Sequence, residues 1–117
     1  MKYVDGFVMS VPTAKKQDFI DMARRMAPVF KEFGVLEVVD CWGVDVPEGK
    51  VTSFPMAVKA TADETVCFGW MVWPSKAVRD ENFQKIMDDP RCQPGEDGTP
   101  FDGKRMIFGG FDMVSVL

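Results

Sequence analysis

The sequence predicts an α+β protein of ferredoxin-like βαββαβ order, with an antiparallel four-stranded sheet and two helices on one face. Three observations lead there. Four segments, Tyr3–Val11, Val35–Val46, Val66–Trp73 and Met106–Leu117, carry the β-branched and aromatic residues of strands. Two others, Thr13 to about Phe33 and Lys76–Met87, repeat apolar residues at three- and four-residue spacing. Their order along the chain is strand, helix, strand, strand, helix, strand. At 117 residues the chain reads as one domain, 1–117.

Each element has its own local reasons. Pro12 cannot donate to a ladder and ends the first strand, and Thr13 is placed to cap the helix that follows. Phe19, Ala23, Met26, Ala27, Phe30 and Phe33 make one apolar face of that helix. Pro28 removes one backbone donor within it, and Gly34 supplies the left-handed residue that stops it. Pro47-Glu48-Gly49 breaks the second strand. The segment Val51–Ala60 reads either as an extended edge or as a single helical turn, because Pro55 is unsuited to a central strand. Ser75 caps the second helix and Asp88-Asp89-Pro90 closes it. Arg91–Lys104 is a loop rich in Pro, Gly and acids, with no periodicity.

The strands are apolar on both parities. In the third, Val66, Phe68, Trp70 and Val72 alternate with Cys67, Met71 and Trp73. An antiparallel sheet with one wet face alternates cleanly between apolar and polar. Two helices shield one face, so the other needs a cover. Each large side chain left in water forgoes about 1.5–3 kcal/mol. Five or six of them rival the whole stability of a domain, about 5–15 kcal/mol. A second copy of the chain, packed face to face, is the expected cover; the acidic loop folded across the face is the alternative. Glycines in every strand (Gly6, Gly43, Gly69, Gly109, Gly110) fit a sheet curved into half of a barrel, or space left for a small ligand.

Composition excludes several functions. Net charge is −4, and no basic cluster exceeds a pair, which leaves poor means of neutralising nucleic-acid phosphates. An acidic surface is also repelled from anionic lipid, and no apolar run approaches a membrane span. The N-terminus lacks a signal-peptide pattern, and the odd set Cys41, Cys67 and Cys92 fits reduced thiols, so the expected location is cytoplasmic. There is no histidine, which excludes Ser–His and Cys–His nucleophile pairs and His-containing metal sites. No dinucleotide or P-loop pattern is present, so the reading includes no cofactor.

Candidate chemistry is sparse. Asp5 and Asp40 lie within strands, where acids are depleted, and share their faces with Phe7 and Trp42. If that face is covered, their carboxyls rise and suit proton transfer; the alternative is pairing with Lys59, Lys104 or Arg105. Trp42, Trp70 and Phe68 are candidates to line a flat aromatic pocket, with Trp73 and Phe108 beside them. Lys59 and Arg105 are the basic candidates for ligand binding. Gly95-Glu96-Asp97-Gly98 has too few ligands for an EF-hand loop.

Four segments taken together, YVDGFVMSVP at 3–12, GKVTSFPMAVK at 49–59, DETVCFGWMVWPS at 63–75 and PFDGKRMIFGGF at 100–111, resemble the YbaA-like family, domain of unknown function 1428. The resemblance covers nearly the whole chain in order. It implies the dimeric α/β-barrel fold, in which two ferredoxin-like protomers pack sheet against sheet, and it transfers no catalytic residue. Members of the wider fold include cofactor-free monooxygenases, haem enzymes and ligand-sensing modules, an analogy of fold alone. The haem enzymes generally use histidine, which this chain lacks. Met56 stands where the resemblance leads one to expect a basic residue, which weakens any anion site there. Two functions follow as expectations. One is a homodimeric module binding a small molecule; the other is a cofactor-independent oxygenase or isomerase for a small aromatic substrate, with Asp5 or Asp40 as base. Recruitment of a basic partner by the acidic loop is a third.

Overall fold

The structure is a computed structural model, which describes residues 1–95 and 98–117. Four strands, β1 (Tyr3–Pro12), β2 (Glu37–Trp42), β3 (Glu64–Trp73) and β4 (Ile107–Asp112), form one sheet of order β2-β3-β1-β4. Every neighbouring pair is antiparallel. Helix α1 (Lys16–Glu32) follows β1, a short α2 (Phe54–Ala57) precedes β3, and α3 (Lys76–Asp88) follows β3. Apart from the inserted α2, this is the expected ferredoxin-like arrangement.

Helices α1 and α3 cover one face of the sheet. Phe19 and Met22 of α1 pack on Met9, Val11 and Cys67, while Ile86, Val78 and Phe83 of α3 pack around Tyr3, Met71 and Trp73. Their apolar spacing thus does what the periodicity implied. Ser75 is extended, and its hydroxyl accepts from the Val78 amide at 3.2 Å, capping α3. Gly34, with φ of 100°, carries the chain out of α1 in the left-handed region.

Thr13 does not cap α1. Its amide donates to the Asp63 carbonyl and its hydroxyl bonds to that of Thr65, both at 2.8 Å. It stays fastened to β3, and the chain enters α1 through a 3-10 turn, Thr13–Lys15, without a side-chain cap. Two strands are shorter than their apolar patterns. At β2 the chain leaves the ladder after the Gly43 amide bonds to the Val66 carbonyl. β4 has only β1 as a neighbour, and that pairing stops at Tyr3. Beyond the two strands the apolar Val44, Val114 and Val116 are exposed: a ladder needs a partner strand, whatever the side chains.

The segment at 51–60 forms the helical turn α2, with Ser53 as its cap and Pro55 in its first turn. This is the helical-turn alternative for that segment, and it sits on the opposite face of the sheet from α1 and α3. Val58, fully buried, packs there on Val8 and Val66. One end of the second face is therefore covered from within the chain. The described residues of the acidic loop that reach a core do so on the helix side, where Cys92 and Phe101 pack.

Candidate functional site

The register sorts every strand residue onto one of two faces. Tyr3, Asp5 and Phe7 of β1 share the helix face with Trp42 and Asp40 of β2, Trp73 of β3 and Phe108 of β4. Phe68 and Trp70 point the other way. The predicted pocket of Trp42, Trp70, Trp73, Phe68 and Phe108 is thus divided by the sheet, and no single small ligand touches all five. Parity within one strand was legible in the sequence; the register between strands was not.

On the helix face Asp5 is buried and fully engaged. Trp73 Nε1 donates to its Oδ2 at 2.9 Å, and Arg79 donates through Nε and Nη2 at 3.1–3.3 Å. The guanidinium also lies 4.5 Å above the Phe83 ring. The partner is Arg79 and not Lys59, Lys104 or Arg105, and a helix residue 74 positions away is invisible to strand spacing. The cluster ties α3 to β1 and leaves no carboxylate oxygen free of a donor.

Asp40 sits on edge strand β2, exposed on one side and crowded by protein on the other. That desolvation pushes its carboxyl above the ordinary range. Trp42 stacks near Phe19, ring centroids 6.1 Å apart, with the Lys16 ammonium 5.4 Å from its ring. Cys67 is buried beside this group; desolvation, reinforced by the negative charge of Asp40, pushes its thiol up to about 12.

Arg105 is committed elsewhere. It donates to both Glu64 oxygens at 2.7–2.8 Å, to Asp102 and to the Lys59 carbonyl at 2.9 Å. Lys59 has a left-handed backbone, φ of 51°, held by that contact and by its own amide bond to Met56. Arg105 thus closes the α2–β3 corner, with each of its three guanidinium nitrogens donating there.

The remaining candidates lie on the open face. Phe68 stands between Trp70, at 5.5 Å, and Phe54 of α2, at 6.1 Å. Phe111 and Ile107 of β4 complete the patch, with Phe111 60% and Phe54 51% exposed. Phe54 carried no strand signal and went unnoticed in the sequence; its proline neighbour and serine cap were the available clue. In the strands this face bears charge only at Glu37, on the outer strand, and at Glu64, which Arg105 neutralises. Among the described residues, clefts of about 220 and 390 Å³ occur, the larger beside α2, and neither is lined by Asp5, Asp40, Trp42, Lys59, Phe68, Trp70, Trp73, Arg105 or Phe108. Neither cleft is lined by Phe54, Phe68, Trp70, Ile107 or Phe111.

Among the described residues, no helix is long and apolar enough to cross a membrane. No group of three metal-ligating His, Cys, Asp or Glu side chains occurs among them either. Of the acidic loop Arg91–Lys104, expected as a recruiter of a basic partner, Glu96 and Asp97 lie outside the described residues.

An α+β ferredoxin-like sheet with one helix-covered and one largely open apolar face is the class that this geometry defines. Comparison with known proteins narrows it. Residues 2–103 match the family described as "Protein of unknown function (DUF1428)". The chain is 57% identical over 114 residues, covering 97% of both proteins, to "Uncharacterized protein YbaA" of Escherichia coli K12. The same identity and coverage hold for the YbaA proteins of Escherichia coli O157:H7 and Shigella flexneri. The chain belongs to the DUF1428 family.

Proposed function

We propose that the protein is a homodimeric small-molecule-binding module in which two open faces pack sheet to sheet. The observation that carries this reading is the uncharged apolar patch of exposed Phe54, Phe68, Ile107 and Phe111 around half-buried Trp70, on a chain of net charge −4. An acidic protein repels its own copy everywhere except where charge is missing. That makes the open face the surface on which two copies meet at least cost, and closed two-fold dimers are the commonest assembly of small chains. Neither cleft of the protomer is lined by the patch, and the pocket of this reading is the one that a second sheet closes over it. Its walls are then aromatic and without free charge, which fits an uncharged planar or apolar molecule. Three unpaired cysteines support residence in a reducing compartment such as the cytoplasm.

The oxygenase or isomerase reading retains one supporting observation, the raised carboxyl of Asp40. Asp40 lies across the sheet from the aromatic patch, so a base there would serve a substrate on the helix side. The binding module is therefore the preferred function. Native mass spectrometry of protein purified from cells reads subunit count and retained ligand together. A dimer carrying a small neutral adduct supports the proposal; a well-folded monomer at micromolar concentration overturns it.

A further inference from the structure

The glycines of the sheet fall into two groups. A Cβ at residue 69 would stand 2.5 Å from the Phe7 ring and 2.6 Å from the Val39 carbonyl, and one at 110 would strike the Tyr3 ring. These two are glycine because their own chain fills the space. Gly6 and Gly109 are different. They are paired across β1 and β4, and a Cβ on either would meet only the Phe111 ring, at 4.0 and 3.5 Å. Both are ordinary contacts, and neither residue has a left-handed backbone. Glycine inside a strand weakens it, and here nothing within the protomer requires the missing side chains. Close approach from outside does.

The register sets what would fit against them. Across the middle of the open face runs the row Val39, Trp70, Gly6, Gly109, one residue from each strand in the order β2-β3-β1-β4. Half of the row is large and half is bare. A two-fold axis parallel to the strands, midway between β3 and β1, keeps this row in place and reverses its order. Trp70 then stands opposite the partner's Gly6, and Val39 opposite the partner's Gly109. An axis perpendicular to the strands instead sets Trp70 against its own copy and bare backbone against bare backbone, a collision beside a void.

We infer that a second copy docks with its two-fold axis along the strands, each Trp70 seated on the partner's Gly6 and fixing the sheet spacing. The inference rests on the dimer proposed above and assigns its register. The adjoining row, Cys41, Phe68, Val8 and Ile107, is then placed beside the Trp70 seat, where Phe54 and Phe68 wall the ligand space.

The test uses Gly6→Leu and Trp70→Ala, each in the full chain. Leucine at position 6 fills the partner's seat, so the Gly6→Leu dimer dissociates about tenfold or more readily in sedimentation equilibrium. Its far-ultraviolet circular dichroism is unchanged, because the protomer has room. Mixing the two variants gives heterodimer above the statistical half by native mass spectrometry. In the mixed dimer the added leucine enters the space vacated by Trp70→Ala, while the remaining Trp70 still meets an intact Gly6. Residues 6 and 70 are also neighbours within one protomer, and only the mixed dimer separates that coupling from contact between copies. A statistical mixture, or a Gly6→Leu dimer as tight as wild type, overturns this register while leaving the dimer standing. A monomeric wild type removes both.

Discussion

At the scale of single residues, two carboxylates organise the structure. Asp5 holds Arg79 and Trp73 beneath α3 with a carboxyl that is itself buried. Removing one partner of such a pair strands the other charge, at a cost of about 3–5 kcal/mol. Asp5→Ala is therefore expected to lower stability by about 3 kcal/mol in urea denaturation, and Asp5→Asn, which keeps an acceptor for Trp73, by less. Glu64 is the second. Hydrogen bonds from Arg105 lower its carboxyl from 4.5 to about 2, against the opposing pull of desolvation. A group depressed on folding contributes stability that is complete above its unfolded value and is lost as pH falls through its folded value. The stability difference between wild type and Glu64→Gln is thus expected to be constant above about pH 5. It shrinks from about pH 4.5 downward and is nearly gone at about pH 2. A difference independent of pH would show that Arg105 does not hold the charged form.

At the scale of elements, close approach decides more than propensity does. Phe7 of β1 lies over Gly69 of β3, and the Val39 carbonyl of β2 closes in from the other side. Gly69→Ala must displace a buried ring or part the β2–β3 ladder. A loss of about 1–3 kcal/mol is expected from thermal or urea unfolding, with the far-ultraviolet spectrum retained. Gly6→Ala, on the same sheet, is expected to cost the isolated protomer nothing, and this contrast separates packing from mere strand propensity. The glycines were visible in the sequence as interruptions of strands. Their division into filled and unfilled sites depends on which ring leans over which backbone, and that follows from register between strands distant in sequence.

At the scale of the whole molecule, the open face sets the behaviour. A protein stabilised by pairing with its own copy melts at a temperature that rises with concentration, by mass action. The midpoint is expected to increase by several degrees between about 1 and 100 μM. A midpoint independent of concentration over that range would mean that the face is wet in solution. The coverage by α2 limits what remains to be buried: Val58 already shields Val8 and Val66, so the surface left for a partner centres on Phe68, Trp70 and β4.

Local chemistry was enough to specify the elements, their order and the excess of apolar residues on the sheet, because period, caps and breakers act within a few residues of each other. Ser75, Gly34 and Pro55 each behave as their covalent structure demands. The absence of histidine likewise limited the chemistry without any fold. Only tertiary structure decided that Asp5 belongs to Arg79, that Trp42 and Trp70 lie on opposite faces of the sheet, and that α2 caps the end of the second face. Each of those depends on pairing between segments far apart in the chain, and a slip of one residue in register would exchange every partner.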